Sequence, residues 1–98
     1  MPEPLEPGHP GALLRDVVLP SLDLSISAVA GRLGVTRQTL HRLLAEKTAV
    51  TPEMALRLGK FCGNGPDLWL RMQEAYDLWH AERALRRKIA RIKTVKAA

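Results

Sequence analysis

The stretch Ser27–Lys47, SAVAGRLGVTRQTLHRLLAEK, limits what this chain can fold into more than any other part of it. Ala30 and Gly34 stand four apart: a small residue where two helices can cross, then a glycine where the first of them can end. Glycine suits a left-handed helix terminus because it has no Cβ to clash. Thr36 is placed to N-cap a second helix, its hydroxyl free to accept a backbone N–H. At about 100° per residue, Leu40, Leu43 and Leu44 share one face of that helix, while Arg37, Gln38, His41 and Arg42 gather on the other. The pattern predicts two short helices joined by a tight turn, the second with an apolar side to pack and a polar side to present.

The polar side has the chemistry of a base reader. Arg makes paired hydrogen bonds to guanine and Gln to adenine, and both lie near the helix N-terminus, the end that usually meets base edges. Taken alone, the helix fits equally well as an amphipathic core helix with a solvated face. The preceding helix, the Ala–Gly spacing and the cap favour one lying in a DNA groove. Charge agrees locally. Arg32, Arg37, Arg42 and Lys47 against Glu46 give this stretch +3. The formal net charge of +5 is unevenly placed: residues 1–82 sum to −2 and residues 83–98, with seven basic and no acidic side chains, to +7. The high overall basicity thus belongs to the tail, and nucleic-acid binding rests on a local patch.

Ninety-eight residues are enough for one domain with a modest core. Residues 1–8, with three prolines and two glutamates, read as a flexible arm. A first helix is expected from about Pro10, at a position where a missing N–H is harmless, to Leu19, with Pro20 stopping it. Ser27 is the expected cap of the second helix. Gly31 lies inside it at a cost of about 1 kcal/mol against Ala. A loop over Glu46 to Val50 follows the reading helix. Thr51-Pro52-Glu53 then starts a fourth helix as cap, N1 proline and dipole-favoured acid, with Met54, Ala55, Leu58, Phe61 and Cys62 facing inward. Gly63-Asn64-Gly65 ends it, and Pro66-Asp67 opens a fifth by the same logic. Strand-like alternation and internal repeats are absent from the sequence. The expected fold is all-α, with five helices and a C-terminal helical extension, organised as arm 1–8, DNA-binding domain 9–82 and basic tail 83–98.

The fifth helix carries an aromatic-rich stripe, Leu68, Trp69, Met72, Ala75, Tyr76 and Trp79, of the kind that forms a core or a subunit interface. Past residue 80 the apolar line moves nearly opposite, to Ala81, Leu85, Ile89 and Ile92. One straight helix cannot press both lines on the same core. Either it breaks near His80 or its later half packs on another body, for which a dimer mate is the expectation; a frayed basic tail is the alternative. Trp69, Tyr76, Trp79, Leu85 and Ile89 are the candidate interface residues.

Other chemistry finds no support. His9, His41 and His80 are scattered without paired ligand spacing, so neither metal nor cofactor is expected. Phosphate-loop and nucleophile signatures are missing. Asp67, Glu74 and Asp77 with Arg71 read as a salt-bridged surface rather than an acid–base pair, and an enzyme is not expected. Cys62 alone allows no internal disulfide, which fits a reducing cytoplasm. MPEPLEPGHPG has neither the basic start nor the apolar segment of a secretory leader, and no apolar run approaches a membrane span.

The ordered set GHPGALLRDVVLP, SAVAGRLGVTRQTLHRLLAEK, TPEMALRLGKF and PDLWLRMQEAYDL resembles the HigA, or VapI-type, antitoxins, within the Xre/Cro-like helix-turn-helix class of lambda-repressor-like folds. The likeness spans about Gly8 to Glu82. It implies a bacterial type II toxin–antitoxin module. The antitoxin would be a homodimer that binds double-stranded operator DNA of its own operon, represses it, and neutralises a HigB-type mRNA-cleaving toxin. It would work in the cytoplasm, associated with the nucleoid when operator-bound. The resemblance puts base reading on Arg37, Gln38 and Arg42, with His41 beside them, and phosphate contact on Ser27, Thr36, Thr39 and Lys47. Relatives often carry Asn-Gly before the lysine after the reading helix. Here Ala45-Glu46 removes that turn glycine and adds an acid, which argues against phosphate contact at this loop. The competing expectations are a solitary Xre-type regulator with no toxin, and a protein–protein adaptor without DNA binding. A basic ribonuclease would seek acids, and Glu3, Glu6, Asp16 and Asp23 against Arg15 make the arm and first helix the expected toxin surface. The basic tail suits operator flanks better.

Overall fold

A computed structural model describes residues 5–95, and all of its described secondary structure is helical. Helix α1, Pro10–Leu13, runs without interruption into a π-helical turn, Leu14–Val18, and a 3-10 turn, Leu19–Ser21. Helices α2, Ile26–Leu33; α3, Arg37–Leu44; α4, Pro52–Cys62; and α5, Asp67–Ala90, follow.

The first segment begins as the proline predicts, with an unexpected cap: His9 Nδ1 accepts the Gly11 N–H at 2.9 Å. Pro20 does not stop the segment. The chain widens, Leu19 N–H reaching back to the Leu14 carbonyl, and then tightens around Pro20. The Leu22 N–H closes on Leu19 O at 3.0 Å, and Ser21 Oγ donates to Val18 O at 2.6 Å. A 3-10 turn asks no N–H of a proline near its start, so the helical path outlasts Pro20 by one residue.

Ser25 caps α2, accepting from the Ala28 N–H at 3.1 Å, whereas Ser27 lies inside the first turn. The expected Ser27 cap is thus displaced by two residues; both serines have the right chemistry, and the start of the helix decides between them. Thr51 caps α4 as predicted, with Pro52 next to it, and Gly63 ends it in the left-handed region at φ 76°. Pro66 itself is the N-cap of α5 and, unlike Thr51, offers no side-chain acceptor.

Leu14, Val29, Leu33, Leu40, Leu43, Leu58 and Trp69 are buried together between the first segment, α2, α3, α4 and the inner half of α5. Gly11 lets the first segment pack on the C-terminal turn of α3: a Cβ there would collide with the Leu43 carbonyl. Gln73, buried on α5, accepts the Val50 N–H at 2.8 Å and donates to Asp77 at 2.9 Å, which ties the loop after α3 to α5.

Helix α5 does not break near His80; it is continuous from Asp67 to Ala90 and crosses residue 82 without interruption. Its two apolar lines therefore do point to opposite sides. Trp69 is fully enclosed by the chain's own core, its Nε1 donating to Asn64 Oδ1 at 3.1 Å, and so cannot serve as a subunit contact. Tyr76 and Trp79 are half-buried: Tyr76 packs nearly perpendicular to His9 and at a tilt to His80, and Arg83 lies over the Trp79 ring at 3.6 Å. Leu78, Leu85 and Ile89 on the other side are 64, 40 and 54% exposed, and Ile92, just past the helix end, is 68% exposed. Leu5 to Gly8 of the expected arm are described, with Glu6 paired to His80 Nε2 at 2.8 Å. Residues 1–4, including Glu3, and residues 96–98 of the tail lie outside the described residues.

Candidate nucleic-acid interface

Helices α2 and α3 are joined by three residues, Gly34-Val35-Thr36, and each bond that fixes this turn is visible. Gly34 adopts φ 73°; its N–H returns to Gly31 O at 3.2 Å and the Val35 N–H to Ala30 O at 3.0 Å. This is the paired closure of a helix on a left-handed residue. Thr36 then caps α3, accepting the Thr39 N–H at 3.1 Å and donating to Thr39 Oγ1 at 2.9 Å. Arg57 of α4 adds a tertiary tie: its Nη1 donates to Leu33 O at 2.8 Å, and Glu53 holds its other nitrogen at 3.0 Å.

On this frame α3 is buried on one side through Leu40, Leu43 and Leu44, and exposed on the other. Arg37, Gln38, His41 and Arg42 all stand in solvent, as do Ser27, Thr36, Thr39 and Lys47, so every predicted DNA residue lies at the surface. Arg37 Nη1 comes within 3.4 Å of Ser27 Oγ, which links the end of the Arg37 side chain to α2. A recess beside α3 groups Thr36, Thr39 and Arg42 with Thr48, Thr51 and Arg57. Thr48 and Thr51 carry hydroxyls into the same surface. Their positions depend on how the α3–α4 loop folds back, which no local pattern reveals.

The loop after α3 corrects an expectation. Ala45-Glu46 lacks a glycine, yet the left-handed turn is kept: Glu46 adopts φ 61°, the sole described non-glycine residue at positive φ. The Glu46 N–H bonds Leu43 O at 3.0 Å and the Lys47 N–H bonds Arg42 O at 2.9 Å, the same closure that ends α2. The Lys47 amide is therefore used within the turn, while its side chain remains exposed. Arg15 supports the arrangement from the first segment. Its Nη1 donates to Leu44 O at 3.0 Å and Glu46 Oε2 at 3.1 Å, and its Nε and Nη2 donate to both Asp16 oxygens at 2.8 and 2.9 Å. These bonds to Asp16 and Glu46 raise the Arg15 pKa, and the Arg15 bond holds the Asp16 carboxyl below the usual range. Neither Arg15 nor Arg57 stands out in sequence, since each acts on a carbonyl more than twenty residues away.

His9 sits beneath the same loop, buried, with Glu46 and Asp77 nearby and its ring bonded to the Thr48 backbone. Burial lowers its pKa, partly opposed by the two acids and that bond. Among the described residues no group of three or more His, Cys, Asp or Glu is placed to hold a metal ion. The described helices include none long and apolar enough to cross a membrane.

Comparison with known proteins agrees with this geometry. The helix-turn-helix family model matches residues 14–69. The chain is 38% identical over 92 residues to the HTH-type transcriptional regulator YbaQ of Escherichia coli strain K12, covering 92% of this chain and 81% of that protein. Among solved structures it superposes on antitoxin GraA in complex with its operator with a TM-score of 0.87, at 33% identity over 99% of both chains. It also superposes on the Pseudomonas aeruginosa antitoxin HigA with the higBA promoter with a TM-score of 0.84, at 32% identity over 92% of this chain and 99% of that one.

Proposed function

The chain belongs to the helix-turn-helix family, in its HigA-type antitoxin branch, and from that premise we propose that it is the antitoxin of a type II module, a dimer that represses its own operon and neutralises a HigB-type mRNA-cleaving toxin. The family is one of DNA-binding regulators rather than enzymes.

One observation carries the DNA reading. Arg37, Gln38 and Arg42 stand exposed on the same helix, whose far side is locked into the core. A base reader needs side chains whose reach is set by a rigid backbone, because a bidentate bond to a base tolerates little error in placement. Arg37, Gln38 and Arg42, with His41 beside them, read base edges in this account. Ser27, Thr36, Thr39 and Lys47 contact phosphates. A gel shift with the DNA upstream of the protein's own operon, against a scrambled duplex of equal length, tests it: a specific complex is expected, and equal binding to both would refute it.

The exposed line of Leu78, Leu85 and Ile89 on α5, continued by Ile92 just past its end, supports a dimer, because an apolar row this exposed is stable chiefly when covered. A two-fold pair would set the recognition helices about 34 Å apart on an inverted-repeat operator. Sedimentation at micromolar concentration should give a dimer, and L85E/I89E a monomer. The toxin surface is assigned to the arm and first segment, where acids outnumber bases. Removing residues 1–8 should weaken neutralisation of the toxin; unchanged neutralisation would remove the assignment. The protein would act in the cytoplasm, on the nucleoid when operator-bound. A second reading is a solitary regulator, since the relative YbaQ is named only as an uncharacterized HTH-type transcriptional regulator. A neighbouring reading frame for a small basic protein separates the two.

A further inference from the structure

The loop after α3 carries an acid among cations. Glu46 lies two residues past α3, between exposed Arg42 and exposed Lys47 in the chain. Its backbone is in the left-handed region, at φ 61°. The carboxylate is paired at 3.1 Å with Arg15 of the first segment, 31 residues earlier in the chain. Arg15 is held from both edges: Asp16 takes Nε and Nη2, and Nη1 is shared between Glu46 and the last carbonyl of α3. A guanidinium oriented by a fork-on-fork carboxylate keeps one geometry, which a lone surface ion pair does not.

We infer that Arg15 is a positioning residue for operator binding: it draws the Glu46 carboxylate back against the first helical segment, so that the loop after the reading helix can approach a phosphate backbone. The inference rests on the DNA-binding reading above. Without Arg15, the carboxylate would be unneutralised beside Arg42 and Lys47 and would repel the phosphates those cations attract. Arg15 would thus matter for DNA while touching none of it. The Leu44 carbonyl would lose its partner as well, a structural effect that must be separated from the electrostatic one.

A double-mutant cycle read by fluorescence anisotropy makes that separation. The protein is titrated onto a labelled duplex from upstream of its own operon, at low and at high salt, with thermal midpoints measured alongside. R15A is expected to weaken binding about fivefold at low salt, less at high salt, and equally for operator and scrambled DNA. E46G alone should stay within about twofold of wild type. R15A/E46G should return to the E46G affinity, although it keeps the loss of the Leu44 contact. A double variant as weak as R15A would mean that the helix-end contact, not the acid, carries the effect, and would overturn the inference. So would R15A binding as tightly as wild type. R15Q, which keeps most of the stem, replaces R15A should the latter lower the folded fraction, with the same pattern expected. A wild-type chain with no preference for its upstream DNA overturns the DNA-binding reading itself; a wild type that binds specifically while the cycle shows no coupling overturns this inference alone.

Discussion

The turns on either side of α3 close by the same hydrogen bonds around different residues. Before it, Gly34 takes φ 73° and Val35 bonds back to Ala30; after it, Glu46 takes φ 61° and Lys47 bonds back to Arg42. An arginine from another helix binds the last carbonyl in each case, Arg57 on Leu33 and Arg15 on Leu44, and a neighbouring carboxylate steadies each arginine. They differ in the space around the left-handed residue. A Cβ at Gly34 would lie 2.7 Å from Arg57 Nη1, whereas Glu46 has room for a whole side chain and a partner for its charge. A Cβ at the first turn would displace the end of the Arg57 side chain from the Leu33 carbonyl. The second admits a glutamate at some backbone strain and uses its carboxylate.

Changes at the first turn should have the larger effect. Gly34→Ala should destabilise the fold by about 2 kcal/mol or more in urea unfolding, since left-handed strain adds to displacement of Arg57. A loss under about 0.5 kcal/mol would mean that the two turns are equally tolerant. Thr36→Ala removes the cap between them and should cost about 1 kcal/mol while weakening all DNA binding. Ser25→Ala should cost a similar amount and Ser27→Ala little, which separates the α2 cap from a surface serine by their thermal midpoints. At the second turn the sign reverses. Glu46→Gly relieves the strained backbone and should leave stability unchanged or raise it by up to about 1 kcal/mol. A clear loss would show that the Arg15 contact outweighs the strain.

The smallest effect is a pH dependence from His9, which lies under the second turn. Its folded pKa is lowered from 6.5 by burial, so the unfolded chain binds the proton more readily. The stability associated with neutral His9 is fully present above pH 6.5 and declines as pH falls below that value toward the folded pKa. Protonating Nδ1 would also remove the acceptor that caps α1. His9→Asn keeps a capping acceptor without a titrating ring and should flatten the thermal-midpoint curve between about pH 6.5 and 5. An unchanged slope would assign it to other groups.

These contrasts mark what could be read in the sequence. Gly34, Thr36, Thr51-Pro52 and the face of Leu40, Leu43 and Leu44 were legible because caps, glycines and helical periodicity act within one or two turns of chain. The same locality exposed Arg37, Gln38 and Arg42 as a shared outer face. The Ser25–Ser27 ambiguity and the passage through Pro20 lie at helix ends, where a shift of two residues leaves the pattern nearly unchanged. Arg15, Arg57 and Gln73 were invisible because each acts on backbone more than twenty residues away. Trp69 carried the right periodicity and the wrong address: a stripe reveals a buried face and not whose body buries it. The two apolar lines on α5 anticipated correctly that a straight helix cannot use both on one core, and the intact helix leaves the outer line exposed.

Base reading by α3 stands or falls on an affinity profile of Arg37→Ala over an operator in which each half-site position is varied singly. The expected loss is about 1–3 kcal/mol and disappears when one particular base pair in each half-site is changed, with discrimination kept at every other position. An equal loss of affinity for every sequence would contradict it.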